Sequence, residues 1–237
     1  MKKLVIIPTY NERENIELLI EKVLSKDPEL EILVIDDHSP DQTSVLVERL
    51  MANNQRIKLI QRAGKLGLGT AYVEGFQYAI KNDYEYIIQM DADFSHNPKV
   101  IPFFLREIEN YDCIIGSRYL SGINVINWSF SRLLISYLAA QYVQLITGMP
   151  IQDPTGGFKC IRVSALRKID LKKILSDGYS FQIEINYRLW CNKLRIKEIP
   201  IVFTERRAGE SKISRKIVKE AFFMVWKLKI LSFLGEI

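Results

Sequence analysis

Five short apolar runs in the first half of the chain alternate with stretches of helix length and helical period, and few architectures satisfy that alternation. The runs read as strands at residues 3–7, 31–35, 56–61, 85–90 and 112–116. Helices are predicted between them at 12–25, 41–53, 69–82 and 98–110. Strand and helix in turn predict an α/β fold, a mostly parallel Rossmann-like sheet with helices on both faces. With 237 residues, 48% of them hydrophobic, the chain can bury one large core, so one domain over 1–215 is expected, with a C-terminal appendage at 216–237. No Gly/Ser-rich linker or internal repeat divides it.

The strand ends carry the chemistry. Tyr86-Ile87-Ile88-Gln89-Met90 runs into Asp91-Ala92-Asp93, two carboxylates where an open α/β sheet binds its ligands. Hard oxygen ligands there suit Mg²⁺ or Mn²⁺ bridging nucleotide phosphates, or else form an acidic loop ahead of the helix that Pro98 begins. Asp36-Asp37-His38-Ser39-Pro40-Asp41 repeats the arrangement; Asp41 reads as a helix cap, Asp37 as an acceptor for a base or ribose, and His38 as a turn residue. At the first strand's end, Pro8 and Tyr10 can wall a base with Glu12 near the ribose, while Asn11 with Glu14 also fits a capping box. Lys65-Leu66-Gly67-Leu68-Gly69-Thr70 resembles a phosphate-cradling turn without the full Walker spacing. His96 either approaches the metal or belongs to the Asn97-Pro98 turn.

The second half reads differently. Residues 127–147 are strongly apolar, and no charge occurs from Leu133 to Gln152. Arg132, Ser136, Gln141 and Gln144 are costly in lipid, and Gly148 and Pro150 cut the helix short, so an interfacial or core-packed helix is expected rather than a span. Residues 217–237 set Phe222, Phe223, Trp226, Phe233 and Leu234 among Lys219, Lys227 and Lys229, a pattern for a membrane surface, a docking partner or packing on the sheet.

The net charge of +5 is concentrated: residues 193–219 hold nine Lys/Arg against three Asp/Glu. Without interleaved aromatics or a nucleic-acid motif, that zone points to phosphates or an anionic membrane and not to nucleic acid. Arg118 after a strand, Arg132 and Ser136 one helical turn apart, and Arg206, Ser211 and Lys212 in a Gly-containing loop are the candidate phosphate binders. Cys113, Cys160 and Cys191 lack metal-ligand spacing and read as thiols in a reducing compartment. The start, Met1-Lys2-Lys3 leading into a short strand, carries no signal-peptide pattern.

Eight blocks now occur in order: Ile7-Pro8-Thr9-Tyr10-Asn11-Glu12, the Asp36–Asp41 block, the Lys65–Thr70 block, Met90-Asp91-Ala92-Asp93-Phe94-Ser95-His96-Asn97-Pro98, Gly116-Ser117-Arg118-Tyr119, Asp153-Pro154-Thr155-Gly156-Gly157-Phe158, Gly178-Tyr179-Ser180-Phe181-Gln182-Ile183-Glu184, and the Arg206–Lys212 loop. Together they resemble the polyprenol-phosphate mannosyltransferases, the dolichol-phosphate mannose synthases of the family 2 glycosyltransferases, over nearly the whole chain. The resemblance implies a GT-A fold that binds GDP-mannose with a divalent metal. It places Pro8, Tyr10, Glu12, Ile35, Asp37, Lys65 and Ala92 at the nucleotide sugar, and Asp91, Asp93 and Ser95 at the metal and diphosphate. Ser95 occupies a position that is Gln in some relatives. Arg118, Arg206 and Lys212 would join Asp93 in catalysis, and Arg118, Arg132 and Ser136 would take the lipid phosphate. Many relatives carry transmembrane helices that this sequence lacks, so attachment to the cytoplasmic face of a membrane is expected from its own amphipathic segments or a small membrane-anchor partner. Arg207-Ala208 also replaces residues that are usually apolar or aromatic.

The implied reaction moves mannose onto a polyprenyl phosphate whose attacking oxygen is already ionised, so the missing Ser/His or Cys/His pair is no obstacle. A single displacement inverts the anomeric centre. The rivals are a UDP-glucose:polyprenyl-phosphate glucosyltransferase and a catalytically silent nucleotide-sugar-binding subunit of a membrane complex.

Overall fold

The computed structural model describes residues 2–174, 176–204 and 215–237, and only the backbone of residues 179 and 215–221. The predicted alternation is present as β1 (Lys3–Thr9), α1 (Arg13–Leu24), β2 (Leu30–Asp36), α2 (Thr43–Asn53), β3 (Ile57–Gln61), α3 (Leu68–Lys81), β4 (Tyr86–Gln89), α4 (Ile101–Glu107) and β5 (Cys113–Ser117). Short 3₁₀ turns flank α4, so the helix predicted at 98–110 is regular only in its middle; Asn97 accepts the Lys99 N–H at 3.0 Å to start it. The remaining elements are β6 (Val125–Ile126), α5 (Phe130–Thr147), β7 (Lys159–Arg162), α6 (Val163–Leu166), α7 (Gly178–Cys191), β8 (Ile196–Pro200), β9 (Phe203–Thr204) and α8 (Arg215–Phe233).

The main sheet has the order β3-β2-β1-β4-β7-β5-β8, with β7 antiparallel to both its neighbours and every other pair parallel. β6 and β9 form a separate parallel pair. Alternation along each strand sends side chains to opposite faces. Leu4, Ile6, Leu33, Ile35 and Ile87 pack with α3, α6, α7 and one side of α5 and α8, while Val5, Ile7, Ile32, Val34 and Ile88 pack with α1 and α4. Helices therefore cover both faces, as the sequence predicts. Residues 216–237 are not loosely appended: Val225 and Leu228 of α8 are buried in the core.

The capping box predicted from Asn11 and Glu14 does not form. Asn11 adopts φ 61°, and Glu12, the N-cap residue of α1, makes no side-chain cap bond. A carboxylate from the next loop does the work: Asp41 accepts the Arg13 N–H at 3.0 Å and, with its other oxygen, the Thr43 N–H at 3.0 Å. Gly148, at φ 76°, closes α5 as expected.

Candidate active site

Strands β1, β2, β4 and β5 deliver their carboxyl ends to one edge, and the strand order reverses between β1 and β4. Such a reversal opens a crevice, because the loops leaving neighbouring strands turn to opposite faces. Pro8, Tyr10 and Glu12 stand on one lip, Asp91 and Asp93 on the other.

On the β1 side, the Lys65 ammonium lies 4.0 Å from the centre of the Tyr10 ring, which joins two residues predicted for the nucleotide. Glu12 accepts from Asn15 Nδ2 at 3.0 Å, and its own N–H donates to Thr43 Oγ1 at 3.1 Å. Asp37 is buried and heavily engaged: it pairs with Arg62 and accepts the N–H groups of Leu66 at 3.1 Å and Gly67 at 3.2 Å. Its carboxylate fastens the Lys65–Thr70 loop, and a base edge reaching it shares it with Arg62. The Ile35 reading is corrected for its side chain alone, which is fully buried against Gly75 and leaves only the backbone to meet a nucleotide. Ala92 likewise packs in the α1/α4 cluster and offers the crevice only its backbone.

The phosphate-cradle reading of Lys65–Thr70 is corrected too. The N–H groups of Leu66 and Gly67 are taken by Asp37, and that of Gly69 donates to Asp177 at 2.5 Å. Gly67, at φ 100°, is required because a Cβ there would collide with the Asp177 carboxylate. The loop holds carboxylates of its own chain.

On the β4 side, Asp93 accepts from the Ser95 N–H at 3.0 Å and the Ser95 hydroxyl at 2.5 Å, which brings the three predicted metal residues onto one turn. The Asp91 side chain is 38% exposed at the crevice. An all-oxygen set of two carboxylates and a hydroxyl fits Mg²⁺ or Mn²⁺, which commonly take one or two carboxylates and draw further ligands from substrate phosphates. No group of three or more His, Cys, Asp or Glu that could hold a metal occurs among the described residues. His96 turns its Nδ1 to the Asp91 N–H at 3.0 Å, so it does not belong to that donor set. Tyr72, unnoticed in the sequence, brings its hydroxyl to 3.4 Å from Asp91 Oδ1. Burial, then the neighbouring Asp91 charge, pushes that hydroxyl well above the usual tyrosine range, so it remains a donor.

Beyond β5, the structure brings Arg118, Arg132 and Ser136 together. Both guanidinium groups lie over the Trp128 ring, at 5.5 Å for Arg118 and 4.3 Å for Arg132, and Ser136 Oγ accepts from the Tyr119 hydroxyl at 2.7 Å. The Arg118 guanidinium is also engaged within its own chain. Its fork binds Asp153 at 2.7 and 2.6 Å, its own N–H adds a third bond at 2.9 Å, and Thr155 accepts at 2.6 Å. Burial would raise the Asp153 carboxyl, but the Arg118 charge and hydrogen bonds hold it below the usual range. The pair is net neutral, and a phosphate reaching Arg118 shares it with Asp153. Glu198 accepts the Asp153 N–H at 2.9 Å and so braces the same turn from β8. Arg206 and Lys212 lie outside the described residues.

Trp128, Asp153, Tyr72 and Phe203 are the residues that sequence reasoning misses. Asp153 alone left a signal, since it opens one of the eight recurring blocks. No helix among the described residues is long and apolar enough to cross a membrane. The cysteines are free thiols, with Cys113 and Cys160 buried and Cys191 half-buried.

Comparison with known proteins agrees with this layout. Residues 4–170 match the model of Glycosyl transferase family 2. Over 226 residues the chain is 42% identical to the polyprenol monophosphomannose synthase of Mycolicibacterium smegmatis, covering 94% of this chain and 85% of that protein. It is 40% identical over 221 residues to the undecaprenyl-phosphate mannosyltransferase of Micrococcus luteus, covering 93% and 91%. Among solved structures, glucosyl-3-phosphoglycerate synthase of Mycobacterium tuberculosis, in complex with Mn²⁺, UDP and glucosyl-3-phosphoglycerate, superposes with a TM-score of 0.64 at 16% identity, over 99% of this chain and 79% of that one. That likeness establishes the GT-A fold. The chain belongs to glycosyl transferase family 2, in the branch that holds these two mannosyltransferases, and is itself a glycosyltransferase.

Proposed function

We propose that this enzyme transfers mannose from GDP-mannose to a polyprenyl phosphate, with inversion and with Mg²⁺ or Mn²⁺. One observation carries the reading: the carboxylate crevice at the β1/β4 reversal is joined through His96, Phe203 and Trp128 to Arg132 of α5, the helix that also bears Ser136 and the exposed apolar residues Phe130, Leu134, Ile135 and Leu138. A water-soluble donor and a lipid-borne phosphate need such neighbouring but unlike surroundings. The names of the two relatives support the acceptor and the sugar.

In this reading Tyr10 and Lys65 bind the nucleoside, with Pro8, Glu12 and Asp37 beside them. Asp91, Asp93 and Ser95 would hold the metal, which supplies charge stabilisation to the departing diphosphate. Arg132, Ser136 and the Arg118–Asp153 pair orient the acceptor phosphate, and Arg206 and Lys212 add positive charge. The attacking oxygen is already ionised, so positioning and electrostatics account for the work without a strong general base. The protein sits on the cytoplasmic surface of the membrane through α5 and α8.

Incubation with metal, a polyprenyl phosphate and a panel of nucleotide sugars tests this. Radiolabelled mannose is expected in the lipid fraction, from GDP-mannose alone. Glucose entering from UDP-glucose would replace the donor assignment, and no transfer of any sugar would reduce the protein to a binding subunit.

A further inference from the structure

Two rings meet Asp91, Tyr72 at one carboxylate oxygen and His96 at the backbone N–H and the other oxygen. The Tyr72 hydroxyl, from α3, lies 3.4 Å from Oδ1. His96 accepts the Asp91 N–H on Nδ1 at 3.0 Å and places Nε2 3.8 Å from Oδ2. An imidazole that accepts on Nδ1 carries its proton on Nε2 when neutral, so the N–H side faces the carboxylate. The second distance is too long for a hydrogen bond and short enough for a favourable charge–dipole contact.

Both rings are locked in place. His96 is 3% exposed, stacks on Phe158 with 4.8 Å between ring centres, and meets the edge of Phe203 at 5.8 Å. Tyr72 is fully buried and stacks on Phe181 at 5.7 Å. Neither can rotate without repacking a close-packed interior.

We propose that Tyr72 and His96 form a clamp, a pair of positioning residues that fix the rotamer of Asp91 and thereby set the affinity of the crevice for its divalent cation. The clamp rests on the functional reading above only in taking Asp91 as a metal ligand. It resolves the two sequence readings of His96: this side chain is neither a ligand nor merely part of the Asn97-Pro98 turn. Outer partners of metal-ligating carboxylates typically change metal affinity 10–100-fold when removed. The clamp also ties the cation site to both sides of the molecule. Tyr72 comes from the helix that follows the Lys65–Thr70 loop, and His96 is wedged against Phe203 beside Trp128.

The test is Mn²⁺ binding with GDP present, read from the spin-resonance signal of free Mn²⁺, for wild type, Tyr72→Phe, His96→Ala and His96→Asn. His96→Ala is expected to weaken Mn²⁺ roughly 10–100-fold and Tyr72→Phe by a smaller factor, with GDP affinity in EDTA unchanged. His96→Asn keeps an acceptor near the Nδ1 position and should restore much of the loss. Nitrogen-15 spectra of the wild-type protein should show His96 unprotonated at Nδ1 and protonated at Nε2. Wild-type Mn²⁺ affinity in both His96→Ala and Tyr72→Phe, the opposite tautomer, or an Asn variant no better than Ala overturns the clamp. So does a wild-type protein that binds GDP but no Mn²⁺. A wild-type protein that binds Mn²⁺ and GDP yet moves no mannose overturns the transfer reading alone.

Discussion

Asp93→Asn keeps the volume of the side chain and removes its charge while the turn with Ser95 can persist. Mannosyl transfer is expected to fall by roughly two to three orders of magnitude, the usual loss when an electrostatic stabiliser is removed. Near-normal turnover in a folded Asp93→Asn protein, or full activity in EDTA, contradicts the metal assignment. Asp153→Asn makes the opposite kind of change. It leaves the Arg118 guanidinium buried without its counter-charge, a defect that costs about 3–5 kcal/mol in comparable buried pairs. Because the Asp153 carboxyl is held below its ordinary value, its contribution is complete above the unfolded value near 3.9 and is lost as pH falls through the folded value. Denaturant titrations should therefore show the gap between wild type and Asp153→Asn closing below about pH 4 and constant from pH 5 to 7. A gap that does not depend on pH would assign the loss to packing. At this scale the sequence reveals the acidic strand ends but not their partners. Asp91 and Asp93 are legible because a carboxylate at a strand's end is informative by itself. Tyr72, Trp128 and Asp153 acquire meaning only from neighbours 19, 4 and 35 positions away in the chain, contacts that periodicity does not encode.

Among the elements, β1 to β5 and their helices were readable because each is local, a run of one period followed by a run of another. β7 and β8 were not. Lys159 and Arg162 interrupt one and Lys197 and Glu198 the other, so neither reads as a buried strand, although the sheet uses both. Lys159 is accepted because Asn186 Oδ1 receives its ammonium at 2.7 Å, and burial lowers its pKa to about 8. The two apolar helices divide their faces between core and solvent. On α8, Val225 and Leu228 are buried while Phe223 is 68% and Phe233 is 91% exposed. Phe223→Ser and Phe233→Ser should each reduce binding to anionic vesicles, since a phenylalanine moved into an apolar phase contributes about 1.5–3 kcal/mol. Folding stability should stay within about 0.5 kcal/mol, as is usual at exposed positions. Unchanged sedimentation with vesicles would instead mark this face as a contact for a protein partner. Deleting α8 altogether is a poorer test, because it removes Val225 and Leu228 from the core.

The whole molecule combines a basic charge balance with exposed apolar helices, which suits reversible attachment to an anionic surface. Each nearby Lys or Arg contributes on the order of 1 kcal/mol there, fading within a Debye length. Wild-type binding to anionic vesicles should therefore weaken steadily with added salt, whereas salt-independent binding would argue for purely apolar insertion. The sheet order has a consequence for how the chain is made. β1, β2 and β3 find all their partners among the first four strands, and β4 lacks only β7, so the half bearing the carboxylate crevice can assemble as it leaves the ribosome. β5 must wait, because its two neighbours, β7 and β8, are translated more than 40 residues later. Until they arrive, Ile114 and Ile115 lie on an apolar strand with two open edges. Pulse-labelled hydrogen exchange during refolding should protect the amides of β1 and β2 before those of β5, and the interval between them is when this chain is most exposed to self-association.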